Sequence, residues 1–210
     1  MRPRVTLKLA TSLDGRIATA LGESQWITGP EARQQGHRLR ATHDAILVGV
    51  ETVLADDPEL TVRLPDYAGP HPLRVVLDSR LRTSATAKVA SANTLILTTA
   101  APHAIGQAEV VAVASEDGRP AIAAVLEALA SRDVTSLLIE GGGRVAASFL
   151  QAGVVDAIEW FRAPILLGGE GRPCVASLAL AKLADAPKFR RLGVEPVGDD
   201  LWERYARSDG

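Results

Sequence analysis

The chain has 210 residues, with 23 lysines and arginines against 25 aspartates and glutamates, so its formal net charge is −2. This balance argues against nucleic-acid binding, because there is no basic excess to neutralise phosphates. No run of about 18 apolar residues is present, which argues against a membrane span. One cysteine, Cys174, and four scattered histidines make a disulfide or a protein-ligated metal site unexpected. We expect a cytoplasmic globular protein without a metal.

Strand-like and helix-like segments alternate along most of the chain. Strands are expected where residues alternate or form short apolar runs, and helices where apolar side chains recur every three or four residues. The predicted strands cover residues 5–10, 45–50, 73–78, 94–98, 110–113 and 136–140. The predicted helices cover residues 30–41, 120–131 and 143–152.

The end of the chain has a different pattern. Residues 157–167 and 201–207 are β-like, and between them we expect only a loop and the segment 187–197. Residues 64–72 contain three prolines and a glycine, which is typical of a long loop. The whole pattern predicts a single α/β domain over residues 1–210. Its mixed, mostly parallel sheet is flanked by helices and ends in an antiparallel hairpin.

The first strand leads into a tight-turn sequence, Ser12-Leu-Asp-Gly15, in which Gly15 is free to adopt a positive φ. Lys8 lies in the middle of this strand, on the same face as Thr6 and Ala10. A mid-strand lysine either lies on a solvated face or points into a polar cleft. The residues alone favour the solvated face, because most lysines are exposed.

A tryptophan stands in the polar segment 22–30, which is bounded by glycines. In one interpretation, Trp26 pins this loop to the core. In the other, the loop is a flap whose indole ring and Ser24 hydroxyl meet a ligand. The local pattern does not separate the two interpretations.

Residues 42–63 combine a buried strand with polar side chains. The strand ends at Gly49, a short helix follows, and Asp56-Asp57-Pro58 breaks that helix. Adjacent aspartates before a proline are typical of a turn and cap. However, Asp56 and Arg63 follow the carboxyl end of a parallel strand, where open α/β sheets bind ligands.

A strand, three glycines and a helix follow one another from residue 136. Gly141, Gly142 and Gly143 let the backbone approach a ligand and leave amide N–H groups at a helix N-terminus, which suits an anion. Gly141, Gly143 and Ala146 satisfy G-x-G-x-x-A, but a doubly wound dinucleotide-binding fold has this motif on its first strand. The pattern favours phosphate binding over a turn needed only for packing, and it does not favour a standard Rossmann fold.

Together the four segments resemble the pyrimidine reductases of riboflavin biosynthesis, which have a dihydrofolate-reductase-like fold and usually form the C-terminal half of a bifunctional deaminase–reductase. The resemblance covers residues 5–201 and rests on residues 8–15, 22–28, 52–63 and 139–143, in order and spacing. It implies NADPH-dependent reduction of 5-amino-6-(5-phosphoribosylamino)uracil to the ribitylamino product. The zinc deaminase needs H-x-E and P-C-x-x-C, which this sequence lacks, so we expect the reductase alone.

The resemblance also implies roles for individual positions. Substrate contacts fall on Ser24, Arg40, Leu60, Arg63 and Glu140. Cofactor contacts fall on Ala10, Trp26, Thr52, Asp56, Ser79, Gly142, Gly143 and Arg144. Arg40 and Arg63 suit a ribose phosphate, because guanidinium groups match phosphate oxygens. Glu140 suits ribose hydroxyls or pyrimidine N–H groups, and Arg144 reaches either the pyrophosphate or solvent.

Two further assignments are inferences from position. Ser79, Arg80 and Arg82 follow the strand 73–78, where they can meet the 2′-phosphate that distinguishes NADPH from NADH. Lys8 and Asp56 are the candidates for proton handling or orientation at the sugar C1, which accepts the hydride as an open-chain imine.

Two other functions stay open at this stage. One is an NADPH reductase of the same fold that acts on dihydrofolate or another pyrimidine, although residues 33–40 offer no clear acidic residue for a folate. The other is a non-catalytic nucleotide-binding protein. The resemblance implies a homodimer, for which Trp160 and Phe161, on opposite faces of a late strand, supply either an interface or core packing.

Overall fold

The computed structural model describes residues 1–208. Its strands are β1 Arg4–Thr11, β2 Arg16–Ala18, β3 Ala45–Gly49, β4 Leu73–Leu77, β5 Thr94–Thr98, β6 Glu109–Ala112, β7 Ser115–Glu116, β8 Arg119–Pro120, β9 Ser136–Gly141, β10 Ala157–Arg162, β11 Arg172–Pro173, β12 Phe189–Val197 and β13 Asp200–Arg207. Its helices are α1 Pro30–Ala41, α2 Val50–Asp56, α3 Ile122–Ala130 and α4 Gly143–Gln151, with a 3-10 turn at Leu183–Asp185. The strands and helices predicted up to residue 152 are confirmed, each within two residues of its expected bounds.

The chain divides into two compact units. Unit 1 comprises Met1–Arg4 and Arg38–Gly141, and unit 2 comprises Val5–His37 and the chain from Gly142 onward. None of the helices described for residues 1–208 is both long enough and apolar enough to cross a membrane.

Unit 1 contains five parallel strands in the order β9-β3-β4-β5-β6. All five residues of β3 and of β5 are buried, as expected for short apolar strands covered on both faces. One part of the core groups Ile46, Val76 and Ile96 from successive strands with Leu60 from the loop after α2. The stripe predicted for α3 is confirmed, because Ile122, Val125, Leu126 and Leu129 are all buried.

Asp44 ties the beginnings of two strands of unit 1 together. Its Oδ2 accepts hydrogen bonds from the backbone N–H and the hydroxyl of both Thr135 and Ser136, at 2.6 to 3.0 Å. The Thr135 hydroxyl is the main reason that the pKa of Asp44 lies below its ordinary value. This clamp lies at the amino ends of β3 and β9, whereas the predicted substrate residue Glu140 lies near the carboxyl end of β9.

In unit 2, four strands pair in the order β12-β13-β10-β1, and the short strands β2 and β11 pair with each other. β1 and β10 are parallel, whereas β13 is antiparallel to both β10 and β12. The alternation predicted for β1 is confirmed, because Val5, Leu7 and Leu9 are buried on one face. The expected mixed, mostly parallel sheet and C-terminal antiparallel hairpin are therefore both present.

Two boundaries in unit 2 differ from the prediction. The strand expected over residues 157–167 ends at Arg162, just before Pro164, which has no N–H to donate to a ladder. The segment 187–197, for which no strand was predicted, contains β12. Gly193 and Pro196 obscured its pattern, and an edge strand tolerates both residues because only one side is paired.

The two aromatic residues of β10 have different environments. Phe161 is completely buried and stacks on Trp202, with ring centroids 5.8 Å apart. Trp160 is half-buried, and its Nε1 donates a hydrogen bond to the Thr11 hydroxyl at 2.8 Å. The core-packing interpretation is therefore correct for Phe161, whereas Trp160 makes a polar contact on the other face of the strand.

Candidate functional site

Arg40 and Glu140 form a buried bidentate ion pair in unit 1. Arg40 Nε donates to Glu140 Oε1 at 2.7 Å and Nη2 donates to Oε2 at 2.8 Å, and only 14% and 7% of the two side chains are exposed. The remaining nitrogen, Nη1, donates to the Thr61 carbonyl at 2.9 Å. Burial alone would lower the pKa of Arg40, but the Glu140 carboxylate outweighs burial and raises it. Arg40 and Glu140, both predicted to bind the substrate, thus hold each other in place.

The segment 60–63 supplies the other predicted substrate residues of unit 1. Leu60 has φ +54° and is 3% exposed, so its side chain belongs to the core and only its backbone is left for a ligand. Arg63 is 54% exposed, and its Nη1 lies 3.2 Å from Glu59 Oε2. The guanidinium of Arg63, unlike that of Arg40, therefore reaches solvent.

Helix α2 carries Thr52 and ends at Asp56. Asp56 is exposed, whereas Thr52 is half-buried and packs against Gly141 of β9. A Cβ at Gly141 would lie 2.8 Å from the Thr52 hydroxyl oxygen, so this position has no room for a side chain. Close packing against Thr52 therefore explains why the first of the three glycines, Gly141, is a glycine.

The turn after β4 is held by a buried carboxylate that the sequence analysis did not single out. Asp78 is completely buried, and its Oδ2 accepts hydrogen bonds from the N–H and hydroxyl of Thr83, both at 2.8 Å. Ser79 lies half-buried inside this turn, and Arg82 forms an exposed ion pair with Glu51 of α2. An acidic residue that directly follows a buried strand, five residues before a threonine, is the signal that could have identified the clamp.

In unit 2, Lys8 is half-buried, so the solvated-face interpretation is wrong. Its Nζ lies 5.9 Å from the centroid of the Phe161 ring, and a Cβ at Gly36 of α1 would lie 3.7 Å from its Cε. Helix α1 therefore covers the strand face that carries Lys8. Ala10, on the same face, is also half-buried and pairs in register with Phe161.

Trp26 is 67% exposed, so the interpretation that it pins its loop to the core is wrong. Its ring is in contact with Arg33 of α1, whose Cζ lies 4.6 Å from the ring centroid. Ser24, two residues earlier, is half-buried. The flap interpretation of this loop stays a prediction.

The Ser-Leu-Asp-Gly turn has a structural role that its sequence did not reveal. Asp14 accepts hydrogen bonds from the Ser12 hydroxyl at 2.6 Å and from the backbone N–H groups of Leu167 and Gly168 at 3.1 and 2.8 Å. These bonds, that from Ser12 above all, lower the pKa of Asp14 from 3.8 to about 2. Gly15 adopts the expected positive φ, at +75°.

The start of α4 also has a packing explanation. Gly142 has φ +90°, which favours glycine, and a Cβ at Gly143 would lie 2.5 Å from the Pro173 carbonyl oxygen. The Gly143 carbonyl accepts a hydrogen bond from the Ala176 N–H at 2.9 Å. Arg144 is exposed. Each glycine of the motif is thus required by the fold, and phosphate binding at this turn stays a prediction.

The predicted site residues are distributed over both units. Unit 1 carries Arg40, Thr52, Asp56, Leu60, Arg63, Ser79 and Glu140, and unit 2 carries Lys8, Ala10, Ser24, Trp26, Gly142, Gly143 and Arg144. In the part of the chain that the structure describes, no group of three or more His, Cys, Asp or Glu side chains is arranged to hold a metal ion.

Comparison with known proteins identifies a family. The model of the RibD C-terminal domain matches residues 3–202 of this chain. The riboflavin biosynthesis protein RibD of Bacillus amyloliquefaciens is 39% identical over 217 residues, which cover 99% of this chain and 58% of that protein. The 2,5-diamino-6-ribosylamino-4(3H)-pyrimidinone 5′-phosphate reductase of Methanothermobacter thermautotrophicus is 39% identical over 215 residues, which cover 98% of each chain.

A solved structure is similar over the same length. It is a diaminohydroxyphosphoribosylaminopyrimidine deaminase/5-amino-6-(5-phosphoribosylamino)uracil reductase from Thermotoga maritima, with a TM-score of 0.83 and 31% identity. The match covers 99% of this chain and 57% of that one. The present chain therefore spans somewhat more than half the length of these two bacterial relatives and nearly all of the Methanothermobacter reductase.

Proposed function

The chain belongs to the RibD C-terminal domain family, and from this premise we propose that it is an NADPH-dependent reductase of riboflavin biosynthesis. Its substrate is 5-amino-6-(5-phosphoribosylamino)uracil, and its product carries a ribitylamino chain. The names of the Methanothermobacter and Thermotoga relatives support the reaction. The observation that carries the proposal is the buried Arg40–Glu140 pair, because burying two charges is costly and such groups are often functional.

In this proposal, substrate binding in unit 1 is divided between two arginines. Arg63 binds the ribose phosphate, because its guanidinium is exposed and its partner Glu59 is a weakly held surface carboxylate. Arg40 is already neutralised by Glu140, so it orients that carboxylate towards the ribose hydroxyls. Leu60 contributes its backbone. Ser24 stays a proposed substrate residue by its own hydroxyl.

The residues available for the cofactor fit a phosphorylated nicotinamide nucleotide. Trp26 offers an exposed aromatic ring, and the turn held by Asp78 carries Ser79 and two basic side chains, Arg80 and Arg82. When bound, NADPH supplies the hydride for reduction of the sugar carbon. The other cofactor residues of the proposal are Ala10, Thr52, Asp56, Gly142, Gly143 and Arg144.

Lys8 and Asp56 are proposed as the groups that handle a proton or orient the substrate at the sugar C1. The half-buried position of Lys8 supports a role other than solvation. Positioned acids and bases typically contribute about 100-fold or more to turnover. Lys8→Ala and Asp56→Asn should each lower kcat by that order, and a kcat within about twofold of the unmodified chain would reject the role.

The test of the reaction is an absorbance assay for oxidation of NADPH, with NADH in parallel. Two substrates are compared, the aminopyrimidine ribose phosphate before and after deamination. Turnover of the deaminated substrate, the uracil, with a clear preference for NADPH is the expected result. Faster turnover of the substrate that is not yet deaminated would contradict the uracil as the substrate and place reduction before deamination. Binding of NADPH with turnover of neither substrate would contradict the proposed reaction.

A homodimer and a cytoplasmic location belong to the same proposal. Leu192, Val194 and Leu201 on β12 and β13 expose much of their apolar surface, which a second copy of the chain would cover. Sedimentation equilibrium at micromolar concentration should give twice the mass of the chain. A monomer mass would reject the dimer without affecting the proposed reaction.

A further inference from the structure

The most exposed aromatic side chain of unit 2 is held by an arginine to which the family resemblance gave no role. Trp26 exposes 67% of its surface on the loop before α1, and the guanidinium of Arg33 lies over its ring at 4.6 Å. Exposing an indole to water is unfavourable, and tryptophan is enriched where a planar ring meets a ligand. One face of the ring is therefore covered by the protein, and the ring as a whole is still largely accessible.

The guanidinium of Arg33 is itself fixed. Arg33 lies in the first turn of α1, where its N–H bonds to the Gly29 carbonyl at 3.1 Å. Its Nη1 donates to the Thr28 carbonyl at 2.7 Å, and Thr28 is buried. The guanidinium is thus tied to the backbone of the same loop through Nη1, while its Cζ lies over the ring of Trp26. A lysine would be a poorer substitute, because its compact, strongly hydrated ammonium group lacks the planar guanidinium that stacks on aromatic rings.

We infer that Arg33 is a positioning residue for Trp26. Its guanidinium holds the indole ring in the orientation in which the ring stacks on an aromatic ring of the nicotinamide nucleotide. This inference rests on the proposed function, because it takes the nucleotide as the ligand of Trp26. Its effect is on cofactor affinity and not on the hydride step, since Arg33 acts only through Trp26.

The test uses the intact chain and two readouts of NADPH binding. Energy transfer from tryptophan to the bound dihydronicotinamide reports binding directly, and steady-state assays separate KM for NADPH from kcat. Arg33→Met should weaken NADPH binding and raise KM about threefold to tenfold, with kcat little changed. Arg33→Lys should recover only part of the loss. In a Trp26→Ala background, Arg33→Met should have no further effect on binding, because the two residues act as one unit.

Unit 2 offers a matched control. The guanidinium of Arg204 lies over Trp202 at 4.9 Å, so Arg204→Met removes a similar contact from a tryptophan outside the proposed cofactor residues. Arg204→Met should leave KM for NADPH unchanged. If Arg33→Met bound NADPH as tightly as the unmodified chain, the role of Arg33 would be overturned. The same holds if the losses of NADPH affinity in Arg33→Met and Trp26→Ala added up in the double variant. Neither result would affect the proposed function. Failure of the unmodified chain to bind NADPH would overturn the proposed function and this inference with it.

Discussion

Arg40 and Arg63 lie in the same unit, and both were predicted to bind the same phosphate, but the structure gives them opposite environments. Arg40 is buried and makes three hydrogen bonds, two to Glu140 and one to the Thr61 carbonyl. Arg63 is exposed, and its Nη1 lies 3.2 Å from Glu59 Oε2. Residue type alone therefore does not identify an anion-binding arginine, since the guanidinium must also be accessible to the ligand, as that of Arg63 is and that of Arg40 is not.

The largest difference between the two arginines is expected in stability. Glu140→Gln removes the charge that compensates the buried guanidinium of Arg40, so the free energy of unfolding should fall by about 3 kcal/mol. Urea denaturation measures this change. Glu59→Gln is the matched control, because it removes a charged contact of the exposed Arg63 and should change the free energy of unfolding by less than about 0.5 kcal/mol. An equal loss of unfolding free energy in the two variants would contradict the distinction between a buried Arg40 pair and an exposed Arg63 pair.

Arg63 should dominate substrate affinity. Arg63→Ala removes the hydrogen bonds from a charged donor to the phosphate and should raise KM for the aminopyrimidine phosphate about 10- to 100-fold. The free energy of unfolding should stay within about 0.5 kcal/mol of the unmodified value, since the side chain is exposed. Steady-state kinetics and denaturation of the same preparation give both numbers. An unchanged KM would reject Arg63 as the phosphate ligand.

A smaller effect of opposite sign is expected from Glu59. Its carboxylate competes with the substrate phosphate for Arg63 and repels it, so Glu59→Gln should lower KM for the phosphorylated substrate about twofold. The effect should shrink at high ionic strength, where exposed charges are screened. A KM that rises in this variant would indicate that Glu59 orients Arg63 for the substrate instead of competing with it.

The smallest effect concerns unit 2 and acid pH. The pKa of Asp14 is about 2 in the folded chain against an ordinary 3.8, so its contribution to stability is complete above pH 3.8 and is lost as the pH falls towards 2. Asp14→Asn removes this contribution, so the Tm of that variant should fall less steeply between pH 4.5 and pH 2.5 than the Tm of the unmodified chain. Parallel Tm curves for the two proteins would show that Asp14 does not titrate as described.

The sequence predicted the fold better than it predicted the site, for physical reasons. Apolar periodicity is a local property, so β3, β5 and α3 could be located from short windows. The pairing of Arg40 with Glu140 joins residues that are 100 positions apart, and no local pattern encodes it. The sequence predicts a separate ligand role for each residue, whereas the structure shows that the two side chains form an ion pair with each other.

The glycine motif shows the same limitation. A strand followed by three glycines and a helix is typical of a phosphate-binding turn, and it is also what close packing requires here. Gly141 makes room for Thr52, and Gly143 makes room for the Pro173 carbonyl. The exposure of Trp26 could not be predicted either, because the sequence of a polar loop does not show whether its tryptophan is buried or exposed.

The central claim is that Arg63, and not Arg40, recognises the substrate phosphate. The most direct measurement compares kcat/KM for the phosphorylated and dephosphorylated aminopyrimidine ribosides in the unmodified chain, Arg63→Ala and Glu140→Gln. We predict that the preference for the phosphorylated substrate falls to near one in Arg63→Ala and is retained in Glu140→Gln, even where overall activity is lower. A preference that survives in Arg63→Ala and disappears in Glu140→Gln would contradict the account.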